Sequence, residues 1–343
     1  MKKIKRIGFT LVELLVVIAI IALLMGVLMP ALAKVRAIAY RMVCGTNLSA
    51  IGKAMLLYSN DYGDYPIAGK GEAPWSQDGK ISLWYNQDRK HYGVWGDPVS
   101  VTSSFYLLIK YDYATPKLFV CRGDVGTKVF KLSDAKQGSL PAEIVNLEQV
   151  WDFGSGEIST MASRLVPGQY CSYSYHLPYV DDYPVVYGRF NITPEFGGQQ
   201  PLCADRNPYL DKNANAYIEG QACVGGEEDP PTWITATGTE PGRYEDVDRT
   251  GNAAAHGREG QNVLFNDGHV VFARYPNIGI NNDNIWKCWG KTVIPTANVD
   301  KFNEYDPHPY CNLLKEDGDS GQHPWAIKDA FLVGERNEET CSR

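Results

Sequence analysis

The apolar residues of this chain are concentrated in one long run near its beginning. Phe9–Met29 contains 21 residues, and Glu13 is its only charged side chain. At about 1.5 Å of rise per residue, a helix of this length spans roughly the 30 Å hydrocarbon core of a bilayer. The pattern therefore predicts a membrane-spanning helix.

The helical pattern continues beyond Pro30 with a different character. Apolar residues recur there at steps of three and four, which predicts one apolar face on a helix whose other faces are polar. Asp61–Pro66, which contains Gly63, predicts the end of this helix. The apolar face comprises Leu32, Val35, Ile38, Met42, Leu48, Ile51, Met55 and Tyr58.

After residue 66 the chain has short apolar runs separated by segments rich in Gly, Pro and Tyr. Such runs predict strands, and Asn266–Gly268 between two of them predicts a hairpin turn because Asp-Gly accepts positive φ angles. We predict an α+β fold in which the long helix packs on an antiparallel sheet, with large loop insertions at 63–98 and 225–260. The predicted strands are Phe105–Ile109, a segment at Val120, Tyr170–Tyr175, Val185–Phe190, Asn262–Phe265 and His269–Arg274.

Charge adds an orientation to this picture. Lys2, Lys3, Lys5 and Arg6 precede the apolar run, and basic residues flanking a membrane helix stay in the cytoplasm. The bulk of the chain is therefore predicted to lie outside. The net charge of −7 argues against a nucleic-acid partner, which usually selects an excess of Lys and Arg.

A secretory signal peptide is the alternative interpretation of the N-terminus. The apolar run exceeds the roughly 7–15 residues of a signal core, and no small-x-small cleavage site precedes a polar mature chain. Glu13 also sets the segment apart, since a carboxylate at membrane depth costs about 3 kcal/mol unless it meets a partner. A cation on a neighbouring chain would satisfy it.

Gly8–Glu13 resembles the processing site of type IV pilins and type II secretion pseudopilins. The resemblance implies that a prepilin peptidase cleaves between Gly8 and Phe9 and methylates the new amine of Phe9. Glu13 would pair with the Phe9 amine of an adjacent subunit during assembly. Pro30 stands where these helices often kink, because proline removes an N–H and clashes with the preceding turn.

The resemblance also implies an organisation and a set of partners. We expect a leader at 1–8, a transmembrane assembly helix at 9–29, its amphipathic continuation at 30–62 and a globular head at 63–343. The expected partners are other pilin copies, the prepilin peptidase, an assembly platform and the membrane. Before assembly the chain would cross the cytoplasmic membrane once, and afterwards it would lie in a periplasmic or cell-surface filament.

Further segments resemble a large bacterial group of pilin-like proteins with a C-terminal His-x9-Asp-Gly signature. His256 precedes Asp267-Gly268 here, with ten intervening residues instead of nine. In the recurrent Phe-x-Cys-Pro segment of that group, this chain has Arg122 in place of proline. The matching segments are Cys44–Ala54, Leu118–Cys121, Ala204–Pro208 and Asn262–Val270.

The chain has eight cysteines and no Cys-x-x-Cys pair. In an exported protein this predicts up to four disulfides, and the sequence leaves their pairing open. The spacing favours disulfides over a zinc site, because the usual spacing of zinc ligands is missing.

Two sets of polar residues are candidate metal sites. Asp205, His256, Asp267 and His269 could hold a divalent cation if the fold brings them together, since imidazole and carboxylate suit several such ions. The alternative is structural: Asp267 forms a turn, His256 satisfies buried backbone groups, and His269 faces water.

A second candidate is an irregular calcium loop with oxygen atoms at alternating positions. It lacks the glycine and the bidentate glutamate of an EF-hand, and a solvated acidic turn is the alternative. Glu316–Asp319 is a weaker candidate of the same kind. The residues of the loop are Asp211, Asn213, Asn215 and Glu219.

Two functions from different classes follow. The first is a structural subunit of a type IV pilus or a secretion pseudopilus, in a major, minor or tip position. The alternative is a membrane-tethered module that binds glycan or another surface polymer through exposed aromatics. The sequence has no nucleophile elbow, phosphate loop or His-Glu-x-x-His motif, so we predict no enzyme activity. The tryptophans behind the glycan hypothesis are 75, 84, 95, 233, 286, 289 and 325.

Overall fold

A computed structural model describes the chain in several segments. They are residues 11–68, 101–124, 126–134, 144–154, 169–176, 192–206, 252–276, 278–280, 285–286 and 332–333. Within them, one long helix lies against an antiparallel sheet. This α+β architecture is the predicted one.

The first element is a single long helix, α1 (Leu11–Tyr62). It runs without interruption through Pro30, so the two predicted helical segments form one element. The helix ends where the sequence predicted: Gly63 adopts a φ of +86° and donates its N–H to Ser59 O at 2.8 Å. Glycine adopts that left-handed conformation at little energetic cost.

The C-terminal half of α1 buries one face against the rest of the protein. Gly52 marks the closest approach, since a Cβ there would lie 3.0 Å from both methyl groups of Leu264. Residues 11–39 of the same helix are exposed. The buried face comprises Cys44, Leu48, Ile51, Gly52, Ala54, Met55, Tyr58 and Ser59.

The sheet has five strands, and every pairing is antiparallel. In chain order they are β1 (Tyr173–His176), β2 (Pro201–Asp205), β3 (Gln261–Phe265), β4 (Val270–Ala273) and β5 (Leu332–Val333). In space their order is β4, β3, β2, β1, β5. The helix α1 contacts β2, β3 and β4.

The hairpin between β3 and β4 is the predicted one. Gly268 has a φ of +86° and donates its N–H to Phe265 O at 2.9 Å. The turn places Asp267 and His269 at the end of the hairpin. Residues Gln261 to Leu264 of β3 pair with Ala273 to Val270 of β4.

One predicted strand is wrong. Phe105–Ile109 lies in a second helix, α2 (Val101–Lys110). Every residue from Val101 to Ile109 is buried, so this part of the helix has no solvent-exposed face. The short apolar run Phe105–Ile109 taken alone fits a buried strand equally well. Phe105 stacks on Tyr175 of β1, with ring centroids 5.1 Å apart.

The other strand predictions differ in outcome. β1 begins at Tyr173 instead of Tyr170, and Val120 ends a short 3-10 turn at Pro116–Phe119 instead of forming a strand. Val185–Phe190 lies outside the described residues.

Candidate functional site

The first candidate site is the exposed apolar half of α1. Its large apolar side chains are 46–78% exposed between Leu11 and Met29. In the described part of the chain, α1 is the one helix long and apolar enough to cross a membrane. Glu13 lies near its N-terminal end with its side chain at the helix surface. A neighbouring molecule can therefore reach this carboxylate.

The structure describes some of the residues predicted for processing and assembly and not others. Gly8 and Phe9 lie outside the described residues. Glu13 and Pro30 lie on α1, and the helix continues past both. The predicted pairing of Glu13 with another subunit concerns a second molecule and stays a prediction.

Polar contacts join α1 to the head just beyond its exposed half. Arg41 forms an ion pair with Glu259, and its guanidinium lies 4.8 Å from the ring centroid of Phe272 on β4. Six residues further along α1, Asn47 Nδ2 donates to Val120 O at 3.1 Å and to the Tyr173 hydroxyl at 3.2 Å. These contacts orient the exposed rod relative to the sheet.

A disulfide between Cys44 and Cys121 reinforces the same junction. The two Cα atoms are 5.3 Å apart, and the bond connects positions separated by 77 residues. Cys171 and Cys203 are buried free thiols, so the full set of four disulfides is not formed. Burial raises the pKa of Cys171 to about 12, which keeps this thiol protonated and unreactive.

Two of the four predicted metal ligands meet in a buried polar cluster beside this disulfide. Asp205 ends β2, and His256 ends a short 3-10 turn at Ala254–His256. The distance from His256 Nε2 to Asp205 Oδ2 is 3.0 Å, and both side chains are almost fully buried. Asn262 fixes the carboxylate by donating its backbone N–H and its side-chain amide to Asp205 Oδ2, at 2.6 and 3.0 Å.

The other two predicted ligands form a separate pair at the β3–β4 turn. His269 Nδ1 contacts Asp267 Oδ1, and both side chains are about half exposed. The backbone N–H of His269 donates to the same oxygen at 3.0 Å, and this hydrogen bond is the main cause of the lowered pKa of Asp267. The imidazole of His269 stacks on Phe265, with ring centroids 4.4 Å apart.

The predicted four-residue metal site is thus divided between the two ends of β3. In the described part of the chain, the potential ligand atoms that lie within 4.8 Å of one another are those of Cys44, Cys121, Asp205 and His256. Nothing in the sequence pattern places the two cysteines or Asn262 beside Asp205. The cysteines stood in the segments resembling the His-x9-Asp-Gly group, but cysteine positions alone leave their pairing undetermined.

Most of the remaining predicted site residues lie outside the described part of the chain. Asp211, Asn213, Asn215 and Glu219 of the calcium loop lie outside the described residues, as does Glu316–Asp319. Of the seven tryptophans behind the glycan hypothesis, the structure describes Trp286, which is completely buried. Its burial assigns this ring to the core and removes it as a glycan contact.

Comparison with known proteins bears on the first candidate site. Residues 4–29 match the family model described as the prokaryotic N-terminal methylation motif. No curated protein and no solved structure matches the chain. The match covers residues 4–8 of the predicted leader, the predicted cleavage site between Gly8 and Phe9, and the apolar run in which Glu13 stands.

Proposed function

We propose that this chain is a structural filament subunit, from the premise that its N-terminal methylation motif supports a type IV pilin-like protein processed by prepilin peptidase. In this proposal the leader is removed after Gly8, and the mature chain waits in the membrane through α1. It then enters a filament with other copies of itself or with related subunits. Both a type IV pilus and a secretion pseudopilus fit the proposal.

The observation that carries the proposal is the exposure of the apolar half of α1. Residues 11–39 are exposed, and their large apolar side chains face outward. Burying apolar surface contributes roughly 25 cal/mol per Å², so this rod is stable only in lipid or against other apolar surfaces. A bundle of equivalent helices from several subunits provides such surfaces.

Glu13 gives the assembly its register in this proposal. At membrane depth a carboxylate costs about 3 kcal/mol, and a cation from a neighbouring chain reduces that cost. The cleaved N-terminus is such a cation, because the methylated amine of Phe9 remains protonated near neutral pH. If a subunit docked in the wrong register, the Glu13 carboxylate and the Phe9 amine of its neighbour would both lie in the apolar bundle without pairing.

The first test is the intact mass and N-terminal sequence of the protein isolated from its native membrane. We expect a chain that begins at Phe9 and carries one added methyl group. A chain that retains Met1 would leave α1 as a plain anchor and would favour the tethered binding module. A cut near residue 30 would mean a secreted protein without the helix, which contradicts the proposal.

The second test separates anchoring from assembly. Glu13→Gln keeps the size of the side chain and removes its charge, so we expect normal membrane insertion and at least a tenfold loss of sheared filaments. Lys53→Ala changes an exposed charge on the head half of α1 and serves as the matched control. Wild-type filament yields from Glu13→Gln would refute the register mechanism.

The known members of this class are structural, and we propose a structural role for this chain as well. Inside a filament, the head would provide the outer surface. Whether the head also binds a polymer is an independent question, which pull-down of glycans by intact filaments and by dispersed subunits would address.

A further inference from the structure

A buried cluster at the junction of α1 and the head contains four potential metal ligands from four different parts of the chain. Cys44 lies on α1, Cys121 follows the Pro116–Phe119 turn, Asp205 ends β2 and His256 ends the Ala254–His256 turn. All four residues are at least 94% buried. One ligand atom from each lies within 4.8 Å of the other three.

The separations within this cluster are close to those around a small tetrahedral ion. His256 Nε2 lies 3.0 Å from Asp205 Oδ2 and 3.8 Å from Cys121 Sγ. Zinc bonds of about 2.0 Å to nitrogen or oxygen and 2.3 Å to sulfur put neighbouring ligand atoms roughly 3.2–3.8 Å apart. The two sulfur atoms are the exception, because in this structure they are bonded to each other.

Hydrogen bonds around the cluster resemble those that usually hold metal ligands in place. Asp205 Oδ1 is buried and has no hydrogen-bond partner among the described residues, whereas Oδ2 accepts two hydrogen bonds from Asn262. The backbone N–H of Gly123 donates to Cys121 Sγ at 3.4 Å. A fixed carboxylate with an open oxygen and an N–H directed at sulfur both suit a thiolate metal site.

We propose that reduction of the Cys44–Cys121 disulfide converts this cluster into a zinc site. The ligands are the two thiolates, His256 Nε2 and the Asp205 carboxylate. Thiolate and imidazole favour zinc over calcium, which takes oxygen ligands. The site goes beyond the proposed filament function, which does not require it.

The chemistry balances through a dithiol reductant. The disulfide accepts two electrons and two protons from the dithiol and gives two thiols, while the reductant becomes a disulfide. Zn²⁺ then displaces both thiol protons to solvent. An oxidant that bears a disulfide reverses the process. Its S–S bond breaks, it accepts two electrons from the two thiolates and takes two protons from solvent to give two thiols, while the Cys44–Cys121 bond forms again and Zn²⁺ leaves.

The consequence is that α1 has two alternative cross-links to the head at one place. Under oxidising conditions the link is covalent, and under reducing conditions zinc bridges the same two cysteines. The spacing of the cysteines in sequence does not indicate this site, because its ligands become neighbours only through the fold.

The test uses the full chain in detergent micelles, with Co²⁺ as a spectroscopic probe and Zn²⁺ as competitor. The reduced chain should bind cobalt with tetrahedral d–d bands and a thiolate-to-cobalt charge-transfer band, and one equivalent of Zn²⁺ should displace it. The oxidised chain should show neither band at this site. Equal cobalt spectra for the oxidised and reduced chains would overturn the proposal without any substitution.

Matched variants show which cysteines cause the cobalt signal, because the reduced chain contains other free cysteines. Cys44→Ser with Cys121→Ser should lose one equivalent of tightly bound cobalt, whereas Cys171→Ser with Cys203→Ser should keep it. Asp205→Asn and His256→Asn should each weaken binding more than about tenfold. Asp267→Asn with His269→Asn should leave it unchanged.

A release measurement covers the case in which a variant fails to fold. The reduced, zinc-loaded wild-type chain is oxidised with a small disulfide, and a chromophoric chelator records the free zinc. Release of one equivalent in step with formation of the Cys44–Cys121 bond supports the proposal. Formation of that bond with zinc still held would refute it.

Discussion

The buried side chain of Asp205 connects three elements of this fold. Its carboxylate accepts both hydrogen bonds of Asn262 and faces His256, so it joins β2, β3 and the 3-10 turn. Asp205→Ala would leave the backbone N–H of Asn262 buried without this acceptor and would remove the partner of His256, so it should lower the free energy of unfolding by about 3 kcal/mol. Urea unfolding of the full chain in micelles measures the loss. Asp267→Ala, at an exposed ion pair, should cost less than about 1 kcal/mol, and equal losses would contradict this assignment.

The pKa of Asp267 leads to a prediction about the pH dependence of the β3–β4 turn. The backbone N–H of His269 is the main cause of its lowered pKa. A lowered pKa in the folded state stabilises the turn above the ordinary Asp pKa, and this contribution disappears as the pH falls through the folded-state value. Carboxyl NMR should therefore show Asp267 titrating below the ordinary value and Asp64 above it, since burial raises the pKa of Asp64. Titration of both at the ordinary value would refute the two assignments.

Sequence reasoning identified some of these residues but not their neighbours. His256, Asp267 and His269 are candidates because they lie near one another in the sequence and bracket the predicted hairpin. Asp205 joins them as a residue that the fold could bring close. The two pairs stand at opposite ends of β3. Proximity along the sequence predicted the exposed pair at the turn, but the buried cluster arises from contacts between distant segments.

At the scale of elements, the disulfide is the one covalent link between α1 and the head among the described residues. It closes a separation of 77 residues, and removing a link of this kind costs about 3 kcal/mol by restoring freedom to the unfolded chain. Cys44→Ser with Cys121→Ser should show that loss in chelator-containing buffer without reductant. With reductant added, wild type should fall to nearly the same stability. A variant as stable as the oxidised wild type would contradict this role.

The elements also differ in how far the sequence predicted them. The end of α1 at Tyr62 and the β3–β4 hairpin follow from local signals: a glycine with positive φ and an Asp-Gly turn. The helix α2 escaped prediction because it is buried on all sides. The short apolar run of a helix buried on all sides looks like that of a buried strand, and only its surroundings distinguish the two.

At the scale of the whole molecule, an apolar rod projects from an acidic head. Without the first eight residues the chain has 29 basic and 40 acidic residues, a net charge of −11. In the proposed filament, apolar burial would draw the rods of neighbouring subunits together, while like charge would keep the heads apart and in contact with water. This division predicts filaments with helices at the centre and heads at the surface.

Cysteine labelling tests that arrangement directly. Leu28 on α1 and Val145 in the head have similar exposure in the single chain, 62% and 69%. Leu28→Cys and Val145→Cys should therefore react with a water-soluble maleimide at similar rates in dispersed, urea-treated subunits. In intact filaments we expect at least a tenfold slower reaction at position 28 and little change at 145, read by peptide mass mapping. Equal protection of both positions would indicate heads buried in the filament, and reaction at 28 in filaments would exclude a helical core, because burial of that face is what the core requires.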